Sequence, residues 1–186
     1  MNYGITELVH HFLEEQIQEG DLCLDATAGN GHDTVFLCEQ VGESGKVLAF
    51  DIQELAVQHT KMRLQERKLA DRAKVYFDSH CNMHRYVKEG TVSCITFNLG
   101  YLPGGDHALA TKADTTIEAL EGSLRLLKKD GVISLVIYSG GDTGFEEKEA
   151  VLAWLKQLDE KQYLVLLGSY YNRPNDPPIP VQIIKR

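Results

Sequence analysis

The residues best suited to chemistry lie in the segment 25–34 (DATAGNGHDT), directly after the short apolar run 22–24 (LCL). Residues 35–38 (VFLC) follow and predict the start of a helix. A buried strand, a glycine-containing turn and a helix in this order bring backbone N–H groups and a helix N-terminus against a nucleotide-like ligand. Gly29 and Gly31 therefore predict a binding turn. The alternative is a tight turn that binds nothing, because Gly-x-Gly also occurs in such turns.

Asp51 is a second candidate, at the end of the apolar run 47–50 (VLAF) and 20 residues after Gly31. An acidic side chain at this interval accepts hydrogen bonds from the ribose hydroxyls of a bound nucleotide. The alternative is a strand-end carboxylate that caps the next helix.

The glycines and Asp51 would also fit a nicotinamide cofactor. The residues around the turn distinguish between the two classes of ligand. Thr34 occupies the third glycine position of the dinucleotide pattern. Asp25 stands just before the turn, where a carboxylate would repel a pyrophosphate but attract an ammonium group. Asp25 and Asp51 together favour a ligand with a positively charged amino-acid end and an adenosine end.

The spacing of apolar residues predicts the elements that position these side chains. Strands are predicted at 21–26, 46–51, 74–77, 92–97, 132–138, 163–171 and 179–184. Five strands that alternate with helices predict a parallel sheet covered on both faces, and the last two, with no helix between them, predict an antiparallel hairpin at one edge. We therefore expect residues 1–186 to form a single α/β domain with a doubly wound, mostly parallel, seven-stranded Rossmann-like sheet.

Helices are predicted at 5–18, from the turn to about 41, at 53–69, from Ser79 to about 87, from Thr115 to about 128 and from Thr143 to about 160. Ser79 is a predicted N-cap, and Thr115-x-x-Glu118 and Thr143-x-x-Glu146 are predicted capping boxes. In the helix 53–69 we expect two sets of residues, inward Leu55, Met62 and Leu69, and solvent-facing Lys61, Arg63, Arg67 and Lys68.

The composition limits the partners and the compartment. The net charge is −8, so nucleic-acid binding would need a local basic patch or a shape-specific pocket. The four cysteines include no C-x-x-C pair and are expected to be free thiols in a reducing compartment. No apolar run approaches the roughly 20 residues that span a membrane, and no signal peptide is recognisable at the N-terminus. We expect a cytoplasmic protein without a membrane partner.

The order of the motifs resembles the class I S-adenosylmethionine-dependent methyltransferases. The resemblance is carried by the glycine turn, Asp51, residues 78–80 (DSH), residues 98–103 (NLGYLP) and the closing hairpin. More narrowly, residues 25–34 and 98–106 (NLGYLPGGD) resemble a small bacterial family labelled "putative rRNA methylase". Members of that family are linked to methylation of 5-aminomethyl-2-thiouridine at the tRNA wobble position. The resemblance covers essentially the whole chain, and it implies S-adenosylmethionine as cofactor and the tRNA anticodon loop as partner.

The resemblance divides the cofactor site into three parts. It assigns the methionine side to Asn30, Gly31 and Asp33, the ribose side to Asp51 and Gln53, and the adenine end to Ser79 and His80. Asp25, Thr27, Gly29 and Asp78 belong to the same motifs and complete the expected set. Thr27 stands where the general class has glycine, which predicts a tighter or rotated first turn. The alternative for His80 is a solvent-facing histidine at a helix start; a zinc site with Cys81 and His84 is disfavoured because no fourth ligand has suitable spacing.

The resemblance places the reaction centre at Asn98, where a predicted strand ends, and at Tyr101, in the loop 99–114 that follows it. In amino-methylating members of the class, a segment at this strand end holds the target amine and stacks an aromatic ring on the base. Leu99-Gly100 replaces the two prolines of that segment, which changes its backbone path. The alternative is a polar strand terminus followed by a surface tyrosine.

The amine must lose a proton before it can attack, because an alkylammonium, with a pKa of about 10.4, has no free lone pair. Asp33, Asp106 and His107 are the candidate acceptors, and the last two could equally be loop or helix-cap residues.

RNA contacts are expected from two sets of residues near the hairpin, basic Arg173, Lys185 and Arg186 and aromatic Tyr138, Tyr170 and Tyr171. A homodimer could complete an RNA surface.

Other functions remain open at this point. An rRNA methyltransferase and a small-molecule methyltransferase fit the same motifs, and the second suits the acidic composition. A non-catalytic nucleotide-binding module and a nicotinamide-linked oxidoreductase fit the glycine turn alone. Tight NAD binding without S-adenosylmethionine binding would favour the oxidoreductase.

Overall fold

A computed structural model describes residues 4–100, 112–138 and 144–186. The strands are β1 Leu22–Asp25, β2 Lys46–Asp51, β3 Ala73–Phe77, β4 Val92–Leu99, β5 Leu127–Ile137, β6 Tyr163–Leu167 and β7 Ile179–Lys185. The helices are α1 Ile5–Glu14, α2 His32–Val41, α3 Glu54–Glu66, α4 Ala113–Leu126, α5 Gly144–Leu155 and a 3-10 helix, His80–Arg85.

The strands form one sheet in the order β3-β2-β1-β4-β5-β7-β6. β1 to β5 are parallel, and β7 runs antiparallel to both β5 and β6. The predicted doubly wound, mostly parallel sheet with a C-terminal antiparallel hairpin is therefore confirmed. Because β6 runs parallel to β5, the connections that follow β1 to β6 all leave the same edge of the sheet. We call this edge, formed by the carboxyl ends of β1 to β6, the site edge. It is distinct from the two lateral edges of the sheet, which are β3 and β6. β7 ends at the opposite edge.

Apolar side chains fill both faces of the sheet. α1, α2 and α3 cover one face with residues such as Leu13, Leu37 and Leu64. α4, α5 and the 3-10 helix cover the other with residues such as Leu120, Val151 and Met83. In the three described ranges, no helix combines the length and the apolar character needed to cross a membrane.

The expected inward face of α3 is wrong. Leu55 and Met62 are 49% and 52% exposed, whereas the side chains that pack inward are Ala56, Val57, Thr60 and Leu64. Positions 57, 60 and 64 share one face of the helix, and Leu55 and Met62, seven residues apart, share the opposite face. Leu69 is buried, but it lies beyond the end of the helix at Glu66.

Two predicted ends also differ from the structure. α4 begins at Ala113 with Lys112 at the N-cap, and the Thr115 hydroxyl donates to the Lys112 carbonyl at 3.1 Å, so the predicted capping box at Thr115 is wrong. β6 ends at Leu167 rather than at 171. Continuing its register with β7 would set Tyr170 and Tyr171 against Pro178 and Pro177, which lack N–H donors. Thr143, of the other predicted capping box, lies outside the described residues.

Candidate functional site

The glycine turn leaves the site edge between β1 and α2 and is pressed against α3. Gly31, the N-cap residue of α2, has φ +77°, and Gly29 has φ +52°. A Cβ on Gly31 would lie 2.9 Å from the Thr60 Cα atom. Any other residue at 31 would meet both backbone strain and a backbone clash.

Asp51, at the end of β2, fixes this turn from the neighbouring strand. Its Oδ2 atom accepts the Gly29 N–H at 2.9 Å, and its Oδ1 atom accepts the Gln53 N–H at 2.9 Å. A carboxylate offers about four acceptor positions, so the described residues leave two for the hydroxyls of a ligand. Asp51 can therefore both start the next helix and bind a ribose, while Gln53 contributes its backbone N–H to this arrangement.

α3 braces the turn from the other side. The Thr60 hydroxyl donates to the Gly29 carbonyl at 3.1 Å, and Arg63 Nε donates to the Asn30 carbonyl at 2.6 Å. His59 Nδ1 lies 3.1 Å from Asn30 Oδ1. The expectation that Arg63 is only a solvent-facing charge is wrong. No local pattern in the sequence signals this contact, because its two residues are 33 positions apart.

Asp25 supports the turn from behind. It is fully buried, accepting the Thr34 hydroxyl at 2.6 Å and the Thr27 N–H at 3.2 Å. Burial, with the nearby negative charge of Asp33, raises the pKa of Asp25 to about 7. The direct attraction of an ammonium group that the sequence predicted for Asp25 is therefore wrong, because the carboxyl group has no open surface.

Asp33, in the first turn of α2, is the acid that stays closer to the surface. Its Oδ1 atom lies 2.7 Å from His10 Nε2, and its Oδ2 atom accepts Asn98 Nδ2 at 2.7 Å. Burial alone would raise the pKa of Asp33, but the hydrogen bonds from His10 and Asn98 hold it below 3.8. Asp33 is therefore an ionised group beside Asn98. No motif in the sequence marks His10 as part of the site, because it lies 23 residues before Asp33.

Asn98 lies near the end of β4, joined to the glycine turn by its backbone. Its N–H donates to the Thr27 hydroxyl at 2.8 Å, which explains why a hydroxyl residue suits a position that is glycine in the general class. Gly100 follows with φ +143°, and a Cβ there would lie 3.4 Å from the Tyr138 Cβ atom. The predicted site residues Tyr101, Asp106 and His107 lie outside the described residues.

The third part of the site follows β3. Asp78 accepts Ser79 N–H at 2.8 Å and Asn82 Nδ2 at 2.6 Å through Oδ1, and the Tyr86 hydroxyl at 2.7 Å through Oδ2. These bonds, that of Tyr86 foremost, hold the pKa of Asp78 below its usual value. The Ser79 hydroxyl accepts the Cys81 N–H at 3.3 Å, so the predicted N-cap is confirmed, although the helix is 3-10.

His80 is half-buried and turns inward. Its ring is tilted against Phe97, with 5.9 Å between ring centroids. Burial lowers the pKa of His80, and a hydrogen bond with the Ala26 backbone opposes the shift. The solvent-facing alternative for His80 is therefore wrong. Ile52, which sequence analysis did not identify, leaves an exposed apolar side chain directly after Asp51.

The basic residues near the hairpin divide between the two edges of the sheet. Lys185 Nζ donates to the Leu124 and Leu127 carbonyls at 2.9 Å each, at the edge opposite the site. Arg186 donates to the Glu160 carbonyl at 3.0 Å. Of the three predicted basic RNA contacts, only Arg173 lies in the connection 168–178 at the site edge, where it is stacked over the Tyr170 ring at 4.1 Å.

Tyr138, which follows β5, lies near both Asp33 and Tyr170 of this connection. Burial raises the pKa of Tyr138, and the nearby groups Asp33 and Tyr170 add to the shift. Tyr171 is 100% exposed beside them. Among the residues that the structure describes, no three His, Cys, Asp or Glu side chains are arranged to hold a metal ion.

The arrangement fits a ligand of the adenosine type. The glycine turn leaves no room for a Cβ at Gly31, and the described residues leave acceptor positions of Asp51 open beside exposed Ile52. Next to this cradle, the Nδ2 end of the Asn98 side chain is bound to Asp33, and no other described residue donates to its Oδ1 end. The site can therefore bind a nucleoside and present a hydrogen-bond acceptor to a second molecule.

Known proteins resemble this chain in sequence and in fold. A tRNA (mnm(5)s(2)U34)-methyltransferase of Arabidopsis thaliana chloroplasts is 39% identical over 181 residues, a match that covers 92% of this chain and 66% of that protein. A protein of Clostridium thermocellum described as a "putative rRNA-methylase" is 45% identical, with a TM-score of 0.96 and full coverage of both chains. A Streptococcus mutans "putative methyltransferase", solved in complex with SAH, is 35% identical, with a TM-score of 0.89 and full coverage of both.

The family model described as "Putative rRNA methylase" matches residues 47–184. This range begins in β2 and runs to the last strand, so it includes Asp51, the 3-10 helix and Asn98. The chain belongs to this family of methylases.

Proposed function

We propose that this chain transfers a methyl group from S-adenosylmethionine to the aminomethyl nitrogen of 5-aminomethyl-2-thiouridine at the wobble position of tRNA. The name of the Arabidopsis relative supports the substrate, although this chain spans only 66% of that protein. The SAH held by the Streptococcus mutans structure supports the cofactor. The family description and the Clostridium relative support rRNA as a second candidate substrate.

Three parts of the site edge would hold the cofactor. The turn at Asn30 and Gly31, with ionised Asp33, would surround its methionine part. The free acceptor positions of Asp51 would bind the ribose hydroxyls, and Ile52, Ser79 and His80 would border the adenine. The hydrogen bonds of the turn already exist in the chain alone, so binding would need little rearrangement of the backbone.

The orientation of the Asn98 amide carries the proposal. Asp33 Oδ2 accepts the amide nitrogen of Asn98. Among the described residues, none donates a hydrogen bond to Asn98 Oδ1. Oδ1 can therefore accept an N–H of the target amine and hold its lone pair in line. When bound, S-adenosylmethionine supplies a methyl group whose bond to the sulfonium sulfur breaks as the N–C bond forms. Positioning of this kind can lower a barrier by about 7–11 kcal/mol.

The amine must also lose a proton. Asp33 is a weak acceptor, because its pKa is lowered and both of its oxygens already accept hydrogen bonds. We therefore assign Asp33 a positioning role and keep Asp106 and His107 as proposed acceptors. Partial desolvation of the amine would favour its neutral form.

The connection between β6 and β7 would contact the RNA. Arg173, Tyr170 and exposed Tyr171 lie at the site edge and combine a positive charge with aromatic rings. Unpaired anticodon bases are commonly bound by stacking and base-edge contacts. Such a local surface suits a chain with a net charge of −8. A homodimer and a cytoplasmic location remain predictions.

The test uses labelled S-adenosylmethionine and tRNA that carries the unmethylated aminomethyl group. We expect wild-type protein to label the tRNA and Asn98→Ala to lose roughly 100-fold or more in kcat, since a reacting group is misplaced. Calorimetry should find nearly unchanged cofactor affinity in Asn98→Ala. Full activity of Asn98→Ala would contradict the role of Asn98, and labelling of rRNA but not tRNA would favour the second substrate.

A further inference from the structure

We propose that His10, on the N-terminal helix α1, is a positioning residue that orients the Asn98 amide through Asp33. The inference rests on the proposed function for its catalytic consequence. Its structural part, the orientation of one side-chain amide, can be measured without any substrate.

The His10 ring is fixed on two sides. Its Nε2 atom lies 2.7 Å from Asp33 Oδ1. Its face is stacked on Phe36, with 3.8 Å between ring centroids and an angle of 6° between the planes. The side chains of His10 and Asp33 are 20% and 15% exposed, so water competes little for this contact.

The protonation of Asp33 decides which atoms face it. Its pKa is held below 3.8, so at neutral pH the carboxylate is ionised and can only accept hydrogen bonds. In these two contacts of 2.7 Å the carboxylate accepts, so the Nε2–H tautomer of His10 and the NH₂ group of Asn98 are the matching donors. Both oxygens of Asp33 are then engaged, one by each neighbour.

These two hydrogen bonds determine which end of the Asn98 side-chain amide is available to the substrate. With Nδ2 bound to Asp33, Oδ1 is the end left to accept an N–H of the target amine. Without His10, the carboxylate of Asp33 could rotate or take a proton, and either change would release the amide. His10, which lies 23 residues before Asp33 in sequence, thus connects α1 to the reaction centre.

Three variants separate the hydrogen bond from the packing. His10→Phe keeps a ring on Phe36 but has no N–H for Asp33. His10→Gln keeps a donor but loses the stacked ring. His11→Phe is the matched control, since His11 is the next residue of the same helix, is exposed and lies 3.4 Å from Glu14.

The first readout is the NMR signal of the Asn98 side-chain NH₂ group in protein labelled with ¹⁵N, assigned by its loss in Asn98→Ala. We expect this signal to shift in His10→Phe and to stay close to the wild-type position in His10→Gln and His11→Phe. An unchanged signal in His10→Phe would overturn the proposal, whatever the activity of the protein toward tRNA.

The second readout is the division of the kinetic effect. We expect His10→Phe to lower kcat roughly 10- to 100-fold with little change in KM for tRNA or in the affinity for S-adenosylmethionine, and His10→Gln to recover most of kcat. Equal losses of kcat in His10→Phe and His10→Gln would assign His10 to packing and overturn the proposal. If the wild-type protein methylates no tRNA, the proposed function fails, while the NMR result still decides the orientation of Asn98.

Discussion

The Asp51 carboxylate accepts the backbone N–H of Gly29 at 2.9 Å, so the acid at the end of β2 and the turn after β1 are one unit. The second oxygen of Asp51 accepts the N–H of Gln53, the N-cap residue of α3. Two neighbouring strand ends are therefore locked together before any ligand binds. This relationship makes the glycine turn a preformed cradle.

Asp51→Asn should weaken S-adenosylmethionine binding by more than about 10-fold, because an NH₂ group would face a backbone N–H where a carboxylate oxygen now accepts, and a hydrogen bond to a charged group contributes about 1.5–3 kcal/mol. Calorimetry would measure the change. Asp159→Asn is the control, since Asp159 also accepts two hydrogen bonds, from Lys161 and Gln162, but lies far from the turn in the chain. Equal effects of both variants on the affinity would contradict this role.

Gly31→Ala should lower both stability and cofactor affinity. The added Cβ would lie 2.9 Å from the Thr60 Cα atom, at a backbone φ of +77° that disfavours any side chain. We expect a loss of roughly 1–3 kcal/mol in the free energy of unfolding. Gly122→Ala in α4 meets no atom within 4 Å and should instead gain about 0.5–1 kcal/mol. Urea unfolding of both variants checks the contrast, and a Gly31→Ala protein as stable as wild type would refute it.

Arg63→Ala should raise the Kd for S-adenosylmethionine about 3- to 10-fold, because the hydrogen bond that holds the Asn30 carbonyl is lost. Arg67→Ala removes the same charge from an exposed position just after the same helix and should leave the Kd unchanged. Titration calorimetry of the pair distinguishes a specific brace from a general charge effect. Similar changes in both variants would favour the general effect.

The buried carboxyl of Asp25 predicts a pH dependence of stability. Its pKa is about 7 in the folded state and about 3.9 when unfolded. Between these values the folded state keeps a proton that the unfolded state has lost, so the contribution of Asp25 is full below about pH 4 and is lost as the pH rises through 7.

Asp25→Asn cannot titrate at this position. The free energy of unfolding of the variant, relative to wild type, should therefore rise from pH 5 to pH 8. His80, with its lowered pKa, gives the opposite slope, but it does so in both proteins and cancels in the difference. Urea unfolding at several pH values provides the measurement. A difference that stays constant with pH would show that Asp25 titrates normally.

The sheet and its site edge could be predicted because their signals are local. Apolar runs mark the strands, and the polar residues at their ends, Asp25, Asp51 and Asn98, all fall at one edge once the strands are parallel. The paired order of the last two strands followed from the missing helix between them. These inferences need only periodicity and strand direction.

The contacts that complete the site could not be predicted in this way. His10 and Arg63 meet partners 23 and 33 residues away, and no spacing within α1 or α3 marks them. Thr60 lies on the buried face of α3, and its hydroxyl binds the turn at Gly29, 31 residues away in sequence. Lys185 belongs to the same C-terminal hairpin as Arg173, yet the direction of β7 carries it to the opposite edge. Each of these depends on tertiary packing.

Mass spectrometry of tRNA nucleosides tests the central claim most directly. Cells without the gene would be compared with the same cells complemented by the wild-type chain or by Asn98→Ala. We predict that the unmethylated aminomethyl nucleoside accumulates without the gene, disappears with the wild-type chain and persists with Asn98→Ala. A nucleoside profile that does not change on deletion would contradict the account.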